Sequence, residues 1–145
     1  MMINGVDKLK ETIASIEVAM LATKTEDSEL VSRPMYTLHM DKDGYLWFFT
    51  SKGSPKMDDI EENNHVNVSY ADTHSHTYAS VSGTAICVDD QELKSKLWND
   101  SHKAWYPKGV DDPNLCLLRV SVQSAEVWDQ DTATMVSVLT KQHAL

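Results

Sequence analysis

The run Phe49-Thr50-Ser51-Lys52-Gly53-Ser54-Pro55-Lys56 carries the residue types of a phosphate cradle. A strand-like stretch ends at Thr50, a short loop follows, and a helix is predicted from Ser54 to Asn63. The first N–H groups of a helix have no intrahelical partner and sit at the positive end of its dipole. An anion fits there. The hydroxyls of Thr50, Ser51 and Ser54 can donate to phosphate oxygens, and Gly53 lets the backbone approach. Lys56 adds a positive charge in the first turn, and Arg33, two elements earlier, can bring a planar fork to the same anion. The same residues also suit an ordinary capped helix with solvated side chains. The run alone leaves both readings open.

The elements that must hold this run follow from periodicity and turn chemistry. Asp7 to Ile16 reads as a short amphipathic helix with Leu9, Ile13 and Ile16 on one face. Val18 to Lys24 and Leu30 to His39 read as a hairpin whose tip is the polar stretch Thr25 to Glu29. Asp41-Lys42-Asp43-Gly44 is a turn, and Tyr45 to Thr50 an aromatic-rich strand. Ser54 suits an N-cap and Pro55 the first helical position. His65 to Ala71 and Tyr78 to Val88 alternate as strands. Asp89 to Glu92 has capping-box spacing ahead of a helix with Leu93 and Leu97 as its apolar stripe. Asn99 to Asn114 reads as a polar connection. Leu115 to Val122, Ala125 to Trp128 and Thr134 to Leu139 are the remaining strands. Six or seven strands, joined mostly by connections too short for crossovers, predict antiparallel pairing: a mainly β barrel with helices at its edges.

A chain of 145 residues predicts one domain, 1–145, with a core large enough to need neither disulfide nor structural metal. Its 13 basic and 22 acidic residues give a net charge of −9, which disfavours nucleic acid and anionic membranes as partners. No apolar run approaches the ~20 residues of a membrane helix, and the N-terminal sequence lacks the pattern of a signal peptide. A cytoplasmic protein is expected, with Cys87 and Cys116 as two buried thiols.

Other side chains invite rival readings. His74 and His76 could begin a metal site with His65 or Asp72, but such a site needs a third ligand and a second shell. An exposed hairpin tip is the simpler account, and no metal is expected. Trp47 shares a strand face with Phe49 and belongs to the core, and Trp98 ends a helical stripe. Trp105 either plugs the barrel rim or covers a ligand. His39 and His102 read as surface or packing residues, and Asp58, Asp59, Glu61 and Glu62 as a solvated helix face. Gly83, alone in a strand, marks a bulge or a close approach. There is no Ser/His/Asp set, Walker loop or GxGxxG, and no catalytic side chain is assigned.

Arg33-Pro34-Met35, the Phe49 to Lys56 run and Glu126-Val127-Trp128 resemble, in order and approximate spacing, the pyridoxamine-phosphate-oxidase-like flavoproteins. The likeness runs from about Leu9 to Trp128, and Ala104 to Pro113 looks like the Trp-aromatic-Pro signature of the general stress protein 26 subgroup. The resemblance implies a split β-barrel, a homodimer, and flavin mononucleotide (FMN) in a cleft at the dimer interface. Arg33 and Lys56 would hold the phosphate with Thr50 and Ser54, with Ser51 and Pro55 in the same segment. Pro34 and Met35 would run along the flavin ring, Phe49 would line the cleft, and Trp128 would reach the flavin from the other subunit. Tyr78 lies where the oxidases carry a polar flavin contact. After Trp128 the chain has no Arg and a single late histidine, His143, unlike the basic segment with which the oxidases hold their phosphorylated substrate. Pyridoxamine-phosphate oxidation is therefore not expected. The implied function is a stress-related flavoprotein oxidoreductase passing electrons or hydride through FMN between small molecules, with reduced nicotinamide as donor. The alternatives are an FMN carrier or sensor without turnover, and a member of the fold that has lost FMN.

Overall fold

A computed structural model describes residues 5–129 and 135–140. Helix α1 (Gly5–Ile13) leads into strands β1 (Val18–Lys24), β2 (Leu30–Met40) and β3 (Tyr45–Ser51). Helix α2 (Pro55–Glu62) is followed by β4 (His65–Asp72) and β5 (Thr77–Val88). Then come α3 (Gln91–Leu97), a 3-10 turn (Asp100–Ala104), β6 (Leu115–Trp128) and β7 (Met135–Thr140). The strands run in the order β3-β2-β1-β4-β5-β6, every pair antiparallel, and β6 pairs back onto β3. This is a closed six-stranded split barrel with flanking helices. The seventh strand, β7, pairs with the second half of β6.

Closure follows from the burial pattern. β1 and β4 alternate buried and exposed residues along most of their length, as a sheet with one dry face requires. Leu21, Phe48, Val68, Val81, Leu118 and Val120 fill the barrel interior. β3 differs: Leu46 to Thr50 are all buried. Its second face packs Trp47 and Phe49 against Leu115 and Leu117, under a cover that includes Leu93, Leu97, Trp98 and Tyr106. Helix α2 lies across β1 and β5, and α1 packs on β5, β6 and β7. None of the described helices is long and apolar enough to cross a membrane.

Several expectations are corrected. The first helix ends at Ile13, although Ile16 is buried as read. The two strands predicted over Leu115–Val122 and Ala125–Trp128 are one strand, because β6 carries a register shift opposite Ser82 and Gly83 and then continues. The α3 cap is Asp90, which accepts from the Leu93 N–H, so the capping box predicted from Asp89 does not form. The polar connection after Asn99 holds a 3-10 turn capped by Asn99. Cys87 is exposed and Cys116 buried. The expected exposed hairpin tip is present: His74 and His76 lie in the β4–β5 turn, where His76 adopts a positive φ of 55°. His143 and Thr134 fall outside the described residues.

Gly83 sits at the bulge because nothing larger fits: a Cβ there would lie 2.1 Å from the Ser121 carbonyl oxygen. That neighbour is backbone and has little freedom to move aside. Gly83→Ala should therefore destabilise the fold by about 3 kcal/mol, the upper end for overpacking, read as a lower urea midpoint with an unchanged slope.

Candidate functional site

The site forms where β2 and β3 part. Their pairing covers Thr37↔Phe48, His39↔Trp47 and Met40↔Leu46, with a bulge between Thr37 and His39. Before Thr37, β2 pairs with β1 (Leu30 to Tyr36), and after Phe48, β3 pairs with β6 (Phe49 to Ser51). The last β2–β3 pair is anchored from inside by Tyr70, whose hydroxyl lies 2.8 Å from Thr37 Oγ1. Burial pushes the Tyr70 pKa up to about 12, so the phenol stays neutral. Beyond the parting, the Phe49 carbonyl accepts from Tyr106 Oη at 3.0 Å instead of from a β2 amide.

A cleft of about 100 Å³ opens in this split. Pro34, Met35 and Tyr36 line it from β2, Phe49 from β3, and His102, Trp105 and Tyr106 from the segment after α3. No charged side chain is among its lining residues. Trp105 is 72% exposed. It lies on the cleft and not in the rim packing. His102, read from sequence as surface or packing, is only 5% exposed and stands among Phe49, Trp98 and Tyr36 at ring distances of 5.2, 5.4 and 5.9 Å.

A second feature lies at the adjoining barrel end, under α2. Arg33, next to Pro34, donates from Nη1 to Thr23 Oγ1 at 2.8 Å and to the Leu21 carbonyl at 3.2 Å. Thr23 in turn donates to Asp59 Oδ2 at 3.3 Å. Asp59 was expected on a solvated helix face. Instead it is half-buried and offsets part of the burial that lowers the Arg33 pKa. Lys56 Nζ donates to Ser54 Oγ at 3.1 Å. Its pKa is lowered first by burial and then by the Arg33 charge, which places the two cations within each other's field. Lys52, in the same loop, is tied to Asp89.

Ser54 occupies the N-cap position but its side chain caps nothing; Ser54 Oγ donates to the Ser51 carbonyl at 2.9 Å. The Thr50 hydroxyl is buried and has no hydrogen-bond partner among the described residues. Arg33 lies close enough to oppose the Lys56 charge, and neither has a carboxylate at salt-bridge distance among the described residues, so an anion between them would relieve both.

The predicted residues thus fall into three groups. Thr50, Ser51, Ser54, Pro55 and Lys56 lie at the β3–α2 junction, Arg33 stands on β2 opposite β1 and within the field of Lys56, and Pro34, Met35 and Phe49 line the cleft. Trp128 stands apart, 36% exposed at the far end of β6, paired with Tyr78 and Met135. It lies thirteen residue steps along β6 from Leu115, roughly 40 Å of strand contour. Among the described residues no group of three or more His, Cys, Asp or Glu side chains is placed to hold a metal.

Comparison with known proteins matches residues 4–144 to the family described as pyridoxamine 5'-phosphate oxidase like. The protein bli-3 of Neurospora crassa is 31% identical over 130 residues, which cover 83% of this chain and 62% of that protein. The chain spans 62% and 65% of the lengths of the curated relatives it matches. The solved structure of general stress protein 26 from Bacillus anthracis is 30% identical with a TM-score of 0.71, covering 89% of this chain and 98% of that one. The general stress FMN/FAD binding protein of Xanthomonas citri is 32% identical with a TM-score of 0.70, covering 84% of this chain and 86% of that one.

The unsatisfied Thr50 hydroxyl yields a prediction of opposite signs. Thr50→Val removes it at nearly constant shape, and should raise the stability of the ligand-free protein by about 1 kcal/mol. Inorganic phosphate should raise the urea midpoint of the unaltered chain and raise that of the variant less.

Proposed function

This chain belongs to the pyridoxamine 5'-phosphate oxidase-like family, and from that premise we propose that it binds flavin mononucleotide and acts as a flavin-dependent oxidoreductase. The observation that carries the reading is that Arg33 and Lys56 are two partly buried cations within electrostatic range of each other, and that the strand–loop–helix run holding Lys56 also holds the buried, unpartnered Thr50 hydroxyl. A terminal phosphate, doubly charged and rich in acceptors, suits that set. The aromatic cleft begins one residue away on both strands, at Pro34 and at Phe49, so one ligand can place a phosphate in the first and a flat ring in the second. The Xanthomonas citri relative is described as an FMN/FAD binding protein. Two cations, Arg33 and Lys56, match the charge of one terminal phosphate, which favours the mononucleotide.

In this reading Arg33 and Lys56 carry the phosphate charge, Thr50 and Ser54 donate to its oxygens, and Ser51 and Pro55 shape the entry to α2. Pro34, Met35 and Phe49 flank the ring. The bound flavin supplies the electron or hydride transfer. The protein supplies binding, orientation and exclusion of water, and reduced nicotinamide is the proposed donor.

The proposal includes a homodimer. The cleft in one chain, about 100 Å³, falls short of the ~300–1,000 Å³ of ligand pockets, so further walls are needed. Beside it β1 and β2 expose Val18, Met20 and Tyr36, an unusually apolar surface for two strands. A second copy seated there would cover these side chains. It could also bring its own Trp128, too far along β6 to serve its own cleft, to the first copy's ring.

Two measurements test the reading. Lys56→Ala should weaken FMN binding by about 1.5–3 kcal/mol, the range for hydrogen bonds to charged groups, and leave riboflavin, which lacks the phosphate, unaffected. Equal losses for the two ligands would remove Lys56 from the phosphate site. Met20→Glu should shift the protein from dimer to monomer in sedimentation and weaken FMN binding with it. A monomeric unaltered chain that binds FMN tightly would refute the interface.

A further inference from the structure

The fold uses one ring nitrogen of His102 and leaves the other without a role. It is held by the 3-10 turn after α3, where the Asn99 backbone N–H donates to His102 Nδ1 at 3.1 Å. An imidazole that accepts at Nδ1 carries its proton, when neutral, at Nε2. Burial lowers the His102 pKa from its usual value, which favours that neutral form. Nε2 makes no hydrogen bond to the described residues and keeps some contact with solvent, although His102 as a whole is only 5% exposed. The rings of Phe49, Trp98 and Tyr36 stand around it edge-on or tilted, and the Tyr36 hydroxyl, the one conventional acceptor they carry, makes no hydrogen bond to it.

The imidazole also lines the split cleft, as well as a neighbouring pocket that reaches Asn99 and Leu97. With Nδ1 already bonded, the second ring nitrogen is left free to donate to a group that enters the cleft and displaces its water. The cleft sets the chemistry of that acceptor. Its walls are aromatic and aliphatic, with no charged side chain, so the entering group is flat, uncharged and apolar on its faces. The acceptor must then be an edge atom, such as a carbonyl oxygen or a ring nitrogen.

We propose that His102 is a positioning residue for the cofactor ring, its Nε2–H donating to an acceptor on the ring edge while Arg33 and Lys56 hold the phosphate. This rests on the flavin reading above and adds the residue that fixes the ring's orientation. A donor at the ring edge also stabilises negative charge that gathers there on reduction, so it raises the reduction potential.

Two substitutions in the full-length protein separate this role from a structural one. In His102→Asn the side-chain oxygen can replace Nδ1 and keep the Asn99 bond, but nothing replaces Nε2–H. In His102→Gln the amide N–H can replace Nε2–H, but the Asn99 bond is lost. FMN affinity and the midpoint potential of the bound flavin are measured for both, with thermal unfolding of the ligand-free proteins. His102→Asn should bind FMN about three- to tenfold more weakly, as expected for one hydrogen bond, lower the potential, and unfold near the unaltered midpoint. His102→Gln should keep affinity within about twofold, well inside the effect of one hydrogen bond, and keep the potential, but unfold earlier. An Asn variant with unchanged affinity and potential, or a Gln variant that loses as much as Asn, would overturn the role of His102 while leaving flavin binding intact. Failure of the unaltered chain to take up FMN would overturn the flavin reading and this inference together.

Discussion

A sheet that closes on itself must keep its final pair, and here that pair is β3 with β6, in register from Tyr45↔Ser121 to Ser51↔Leu115. Holding it requires β3 to be dry on both faces: Phe48 and Leu46 toward the barrel interior, Trp47 and Phe49 toward the outer cluster. The other side of β3 is under no such demand. β2 leaves it after the Thr37↔Phe48 pair, and Tyr106 takes over the hydrogen bond to the Phe49 carbonyl. The opening is therefore a consequence of how the barrel closes. A cleft with one wall on each parted strand is the geometry left behind.

The electrostatics of the site follow from where those strands end. A chain with net charge −9 has ample carboxylates to pair every cation. Lys52, Lys94 and Lys8 each have one, in Asp89, Asp89 and Asp129 respectively. Lys56 has none at salt-bridge distance among the described residues. Arg33 faces Asp59 only through Thr23. Both are partly desolvated, and the Arg33 charge opposes that of Lys56. Such a pair is destabilising in the empty protein, and its persistence makes sense as preorganisation for an anion.

Much of this was readable from residue order. Ser54 and Pro55 announce the start of α2, because proline lacks the N–H a helix cannot satisfy there. Gly83 announces the bulge, because only a missing side chain permits the Ser121 approach. What escaped depended on three-dimensional company. Asp59 belongs to an acidic stretch that looks solvated, and only the packing of α2 over β1 turns it toward Thr23 and Arg33. Ser54 has an ideal capping residue type, yet the nearby Ser51 carbonyl and Lys56 claim its hydroxyl. His102 sits in a polar segment with no periodicity to read. Its one available signal was the Asn99-x-x-His102 spacing, which resembles a capping box in which the imidazole plays the glutamate's part. Continuity of β6 was hidden because the bulge breaks the alternation that marks a strand.

The central claim is that the phosphate pocket and the split cleft are two halves of one flavin site. The visible absorption spectrum of the purified full-length protein, followed by mass measurement of any released chromophore, tests this most directly. The account predicts a yellow protein with flavin bands whose chromophore has the mass of flavin mononucleotide. A colourless protein that also takes up no added flavin mononucleotide would contradict it.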